Sequence, residues 1–166
     1  MRLCFILVAS LLLACQPPPE LLVETDYCRA LQRSEAEGRP VCLVFSAYGL
    51  GYDELYTDLL EYREIQQLLR EEYVLTVLNI DDQSPAPERT REEVACVTRD
   101  TSVQNRLLAA TKVGEYHAEI QRSLYDTRYQ PQYLLLDQNG TEIVPSIGYT
   151  GRNFHKFMRW LRSGLE

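Results

Sequence analysis

The chain has 166 residues, of which 45% are hydrophobic and 25% are charged, a composition typical of one globular domain. Its formal net charge of -7 argues against a nucleic-acid partner, because binding to phosphates requires a basic face. An acidic balance of this size indicates a solvated surface and assigns no function by itself.

The N-terminus predicts a secretory signal over residues 1–14, with one early cation, Arg2, before an apolar run. The run is too short to span a bilayer, which takes roughly 20 apolar residues. Its end, LLAC, resembles the lipobox of bacterial lipoproteins, which implies lipidation of Cys15. An ordinary secretory signal with an incidental Cys15 is the alternative. The three prolines within residues 15–26 predict a stiff, extended tether.

Three cysteines belong to the predicted mature domain: Cys28, Cys42 and Cys96. An odd number cannot pair completely within one chain. Cys42 falls inside a predicted strand, where a free cysteine packs as a small apolar side chain. Cys28 and Cys96 either form a structural disulfide, which an oxidising compartment permits, or supply a thiol that reacts with a partner.

The first half of the domain reads as helix, strand, helix, strand. Helix-forming composition over 27–37 ends at a glycine and a proline. The apolar run 40–48 predicts a buried strand, and periodic apolar residues over 53–70 predict a helix capped by Asp53. Residues 72–82 predict a second strand that is apolar on both faces.

The second half begins with a polar insertion at about 83–113, for which a short helix and an added strand both stay open. A helix is predicted over 113–129. Two apolar runs within 130–149 flank Asn139-Gly140, the strongest short signal for a hairpin with a type I′ turn. An amphipathic helix within 150–165 completes the chain.

This order of elements is the thioredoxin order. From about Ala30 to Glu166 the chain resembles the thioredoxin-like domains of bacterial disulfide-interchange proteins, including the C-terminal periplasmic domain of the DsbD type. The matching strings are GRPVCLVFSAYG, LLREEYVLTVLNIDD, YQPQYLLLDQNGTEI and GYTGRNFHKFMRWLRSGL. The resemblance implies an α/β, thioredoxin-like fold over residues 27–166, with a central mixed sheet, helices on both faces and a C-terminal hairpin plus helix.

In such proteins the first strand runs into a Cys-x-x-Cys pair at a helix N-terminus, and a cis-proline faces the pair. The proline matches Pro131, preceded by Gln130, but Leu50 and Asp53 stand at the two cysteine positions. Disulfide exchange needs a thiolate, which neither side chain supplies. We therefore predict that a thioredoxin-type dithiol site is absent.

The resemblance also implies a groove for an extended peptide between this turn and the cis-proline. Tyrosines at its rim suit contact with a partner, being amphipathic and stiff, although packing against the sheet is an equal alternative. The candidate groove comprises Tyr48, Gly49, Leu50, Gly51, Tyr52, Asp53, Gln130 and Pro131.

Other chemistries have weaker signals. The Gly-Leu-Gly turn lacks the further residues of a phosphate loop. Asp81 and Asp82 point to opposite sides of a strand, so capping of a loop or plain solvation is favoured over metal binding or catalysis. His117 and His155 have no metal-ligand spacing and are placed on the surface. We predict no cofactor and no metal.

The leading interpretation is a lipoprotein of the bacterial cell envelope that faces the periplasm and acts as a non-redox binding or scaffolding module. Its expected partners are the membrane, through the lipid on Cys15, and an envelope protein or peptide. The alternative is a thiol-disulfide oxidoreductase, or a redox partner, that uses Cys28 and Cys96.

Overall fold

Four strands form one mixed sheet in the computed structural model, which describes residues 20–47, 55, 59–151 and 153–166. The order across the sheet is β2-β1-β3-β4. β1 and β2 are parallel, and β3 is antiparallel to both β1 and β4. The bounds are Val41–Ser46 for β1, Val74–Asn79 for β2, Gln132–Leu136 for β3 and Glu142–Ile147 for β4.

Helices cover both faces of this sheet. Those with described bounds are α1 (Tyr27–Glu37), α2 (Arg63–Glu72), α3 (Arg91–Val94), α4 (Thr101–Leu108), α5 (Val113–Tyr125) and α6 (Phe154–Ser163). Within the described ranges no helix has the length and apolar character needed to cross a bilayer. The predicted α/β, thioredoxin-like architecture is confirmed.

The side chains of β1 are all buried and alternate between two cores. Cys42 and Val44 belong to the core beneath α2 and α6. Leu43 and Phe45 belong to the core beneath α1, α4 and α5. Burial raises the pKa of the Cys42 thiol, so this cysteine is an inert core side chain, as predicted.

α1 has the predicted bounds because both ends are set locally. The Asp26 carboxylate accepts a hydrogen bond of 3.0 Å from the Arg29 backbone N–H, and Gly38 ends the helix at φ 65°. The helix predicted over 53–70 instead shows a 3₁₀ turn, Leu59–Glu61, before α2. Tyr62 is extended there and separates the two. The predicted cap, Asp53, lies outside the described residues.

The insertion forms two helices, α3 and α4, rather than an added strand. Side-chain caps start each of them: Thr90 and Glu93 close a capping box on α3, and Asp100 accepts backbone hydrogen bonds at the start of α4. Where the insertion ends, Lys112 forms a β-bridge with Pro85. The insertion is therefore part of the folded domain.

The hairpin is where the sequence predicts it, but the prediction of a type I′ turn is wrong. Gly140 has a positive φ of 78°, whereas Asn139 does not. The Gly140 N–H donates to the Asp137 carbonyl at 3.0 Å, and the Asp137 N–H donates to the Thr141 carbonyl at 2.9 Å. The Asp137 side chain also accepts from Asn139 N–H at 2.8 Å, which favours a type I turn followed by a left-handed glycine.

The domain begins at about Leu21 rather than at the predicted Tyr27. Leu21 and Val23 pack against the core beneath α2 and α6. Glu24 pairs with β2 through backbone hydrogen bonds of 2.8 Å. This pairing covers the open edge of β2, so any tether from Cys15 is shorter than predicted.

Gly114 sits where α5 meets the backbone that follows β2, and a Cβ there would lie 2.6 Å from both Asp82 N and Ile80 O. We expect Gly114→Ala to lower the free energy of unfolding by about 1–3 kcal/mol, because backbone atoms cannot move aside. Gly38→Ala is the control, since its Cβ meets no atom within 4 Å and only the positive φ is strained. Urea unfolding measures both, and a neutral Gly114→Ala would contradict the close approach.

Glu119 on α5 is a buried carboxylate that accepts hydrogen bonds from Arg106 and Ser123 at 2.6 Å and pairs with Arg122. Burial raises the pKa of Glu119, but these bonds outweigh burial and hold the pKa below its ordinary value. The ionised Glu119 carboxylate therefore stabilises the fold fully at pH values above its pKa in the unfolded chain. This stabilisation is lost as the pH falls through its pKa in the folded chain. We expect Glu119→Gln to flatten the acid dependence of urea unfolding, whereas the exposed control Glu61→Gln should retain it.

Candidate functional site

The cis-proline lies next to the end of β1, from which the candidate turn departs. The Gln130–Pro131 peptide bond is cis, the geometry that the resemblance implies. Gln132, the next residue, pairs with Phe45 near the end of β1. The turn itself, Tyr48–Asp53, lies outside the described residues, so the described part of the candidate groove is the part that contains Pro131.

A group of glutamines holds the segment around the cis-proline. The Gln121 side chain on α5 donates to the Tyr129 carbonyl at 3.1 Å and to Gln132 Oε1 at 2.8 Å. Gln130 Nε2 in turn donates to Gln121 Oε1 at 2.9 Å. Gln121 is 2% exposed and Gln132 is fully buried, so this part of the groove is held by the interior of the domain.

Two tyrosines that the sequence analysis did not single out border this segment. Tyr129 is 47% exposed and Tyr149 is 51% exposed. A Cβ at Gly148 would lie 3.1 Å from the Tyr129 ring and 3.6 Å from the Pro131 carbonyl oxygen, so Gly148 provides the space in which that ring packs. Their positions in the sequence could have identified these two tyrosines, because Tyr129 directly precedes Gln130-Pro131 and Tyr149 follows the second strand of the hairpin.

His117 is buried, which corrects the predicted surface position. It is 4% exposed and its Nδ1 donates to the Asn79 carbonyl at the end of β2, at 2.9 Å. Burial lowers the pKa of His117, so the neutral ring is favoured. His155, by contrast, is exposed on α6, as predicted.

Asp82 caps the loop after β2, which is one of the two roles that the sequence favours. Its carboxylate accepts a hydrogen bond from Ser84 N–H at 2.8 Å, and bonding from Ser84 lowers the pKa of Asp82. Within the part of the chain that the structure describes, no three potential ligands come together to hold a metal ion.

Cys28 and Cys96 form a disulfide with a Cα–Cα distance of 5.8 Å, within the usual range. Cys28 is the second residue of α1, and Cys96 follows the end of α3. Arg89, from the start of the insertion, pairs with Asp26 at 3.1 Å and lies 4.2 Å above the Tyr116 ring. The disulfide and Arg89 thus fasten the insertion to the start of α1.

Comparison with known proteins bears on the fold. No family model matches the sequence, and no curated protein matches it. The solution structure of a thioredoxin from Thermus thermophilus matches with a TM-score of 0.56 and 20% identity over 86% of each chain. A DsbH oxidoreductase matches with a TM-score of 0.54 and 14% identity over 90% of each chain. At these identities the likeness concerns architecture, and the chain has a thioredoxin-like fold.

Proposed function

We propose that this chain is a thioredoxin-fold binding module that takes an extended segment of a partner protein in the groove at Gln130-Pro131, without redox chemistry in that groove. The observation that carries the proposal is the Pro131 segment held by Gln121, with exposed Tyr129 beside it in the chain and exposed Tyr149 next to Gly148, which approaches Tyr129 and Pro131. An exposed pair of stiff aromatic side chains on a rigid support suits a binding site. The sequence has no cysteine between Cys42 and Cys96, so no thiol accompanies this groove.

The proposed location is the bacterial cell envelope, with the domain facing the periplasm from a lipid on Cys15. The lipobox-like LLAC and the prolines after it support this placement. The DsbD-type resemblance of the four matching strings supports descent from an envelope disulfide-interchange domain. The partner would then be an envelope protein or peptide. Incorporation of labelled palmitate that is lost in Cys15→Ala tests the anchor.

The groove is tested by co-purification of partners from envelope membranes with Tyr129→Ala, Tyr149→Ala and the double variant. Removing an aromatic anchor costs about 1–2 kcal/mol, so we expect roughly tenfold less captured partner for each single change. Tyr62→Ala is the matched control, because Tyr62 is also exposed, at 41%, but lies before α2. Equal losses in all three single variants would overturn the assignment of the groove.

The absence of redox chemistry in the groove is tested with purified protein. We expect the Cys28→Ser variant to show no dithiothreitol-dependent reduction of insulin. Activity that survives this change would come from outside the disulfide and would sink the proposal of a non-redox groove.

A further inference from the structure

We propose that Cys28 and Cys96 form a second, separate redox site, at which the dithiol form reduces the disulfide of a partner protein. The observation behind it is a bonded cysteine pair in an open polar cleft at the N-terminus of α1. This site uses no residue of the groove and goes beyond the binding function proposed above.

Both cysteines reach the surface of the domain. Cys28 and Cys96 line a surface cleft of about 260 Å³, with Cys96 exposed and Cys28 partly exposed. Accessible cysteines exchange by attack of a thiolate on a disulfide sulfur. Cys42, by comparison, is fully buried, so the redox pair consists of Cys28 and Cys96.

Cys28 is the nucleophile of the pair. It occupies the first turn of α1, an 11-residue helix, and the positive end of a helix dipole lowers the pKa of a thiol. Cys96 follows the C-terminal end of α3 and has no such neighbour. The charged groups around the cleft are Asp26, Arg29, Arg89, Glu92 and Glu93.

Three of these five charges lie in ion pairs, and Glu92 and Glu93 leave the cleft with a negative balance. Arg89 pairs with Asp26 at 3.1 Å, and Arg29 pairs with Glu24 at 3.1 Å. The Glu93 carboxylate accepts a hydrogen bond from Thr90 N–H at 2.7 Å. The helix end is therefore the group that distinguishes the two cysteines.

In the reduced chain the Cys28 thiolate attacks one sulfur of the partner's disulfide. The Cys28 sulfur bonds to it, and the partner's other sulfur leaves as a thiolate and takes a proton. Cys96 loses its proton to water, attacks Cys28 Sγ and displaces the partner's second sulfur, which is protonated in turn. Two electrons pass to the partner, and the Cys28–Cys96 disulfide of the structure forms.

The Glu93 carbonyl oxygen lies close to both sulfurs of the pair. It lies 3.2 Å from Cys96 Sγ and 3.5 Å from Cys28 Sγ. In the reduced chain either thiol can donate a hydrogen bond to this oxygen. A dithiol reductant of the same compartment would regenerate the reduced pair for another turnover.

The test compares purified Cys96→Ser and Cys28→Ser in their reaction with dithiobis(2-nitrobenzoate), an aromatic disulfide, between pH 6 and pH 9. We expect Cys96→Ser to react at least about fivefold faster at pH 7, because its remaining thiol lies in the first turn of α1. Equal rates, the reverse order, or reaction only in denaturant would overturn the proposal.

A second measurement uses the unaltered chain, in case the serine variants fold poorly. Reduced wild-type protein mixed with oxidised insulin should lose two thiols per chain and regain the Cys28–Cys96 disulfide, as seen by peptide mapping. Retention of both thiols would overturn the proposal. Partner capture reports on the groove and loss of thiols reports on this site, so failure here and failure of the groove are distinguishable.

Discussion

Replacing both Cys28 and Cys96 by serine is expected to lower the free energy of unfolding by about 4 kcal/mol, the cost of freeing a long loop in the unfolded chain. The two cysteines are 68 residues apart in sequence, so the bond restricts nearly half of the chain. The slope of the urea transition should rise as well, because an unbridged unfolded chain exposes more surface. Equilibrium urea unfolding followed by circular dichroism measures both quantities.

Reduction of the wild-type protein by dithiothreitol is the control, because it breaks the same bond without changing a side chain. It should reproduce most of the loss. If the double variant unfolds at the same urea concentration as the oxidised wild type, the bond does not stabilise the fold and its role is confined to exchange chemistry.

The same bond links stability to the proposed redox direction. A disulfide that stabilises the folded domain is harder to reduce than one in an unfolded chain, since reduction gives up that stabilisation. The dithiol form is then the electron donor and the disulfide its product. This matches the order of steps proposed for Cys28 and Cys96, in which the structure represents the end of the reaction.

Elements whose ends are set by neighbouring residues could be predicted from the sequence. α1 has its predicted bounds because Asp26 and Gly38 act within a few residues of it. The hairpin was placed correctly, but its turn type was not, because hydrogen bonds to the Asp137 side chain favour the type I geometry. The Asn139-Gly140 motif, from which the turn type was predicted, does not include Asp137.

Contacts between distant parts of the chain could not be predicted. Whether Cys28 and Cys96 approach closely enough to bridge depends on how the insertion packs on α1, and the insertion has no long periodic pattern. His117 gave no signal of burial because its partner is the backbone carbonyl of Asn79, which every residue possesses. Gln121 was missed for a similar reason, since it acts through side chains and a carbonyl brought together only by the fold.

The candidate groove has one feature that can be read from the sequence and others that depend on contacts between distant parts of the chain. The sequence shows directly that Leu50 and Asp53 stand at the two positions that the resemblance assigns to cysteine. The support around Pro131 is a matter of packing: Gln121 holds the cis-proline segment, and Gly148 makes room for Tyr129. The proposed groove therefore has a segment held from the interior of the domain.

Restoring the pair as Leu50→Cys with Asp53→Cys is therefore expected to create dithiothreitol-dependent insulin reduction that the parent chain lacks in this groove. The fold already supplies the strand β1 before the turn and the segment around Pro131 that Gln121 holds. A thiolate is the missing component. Insulin turbidity measured over time would report the gain.

Placing the restored pair in a Cys28→Ser background separates its activity from that of the natural disulfide. Leu50→Cys alone is the matched control: it supplies a nucleophile without a resolving thiol, so it should form mixed disulfides but not turn over. If the double-cysteine chain folds and is still inactive, the turn does not hold residues 50 and 53 in the thioredoxin arrangement. The alignment that places Leu50 and Asp53 at the cysteine positions would then be wrong, and the groove would owe nothing to an ancestral dithiol site.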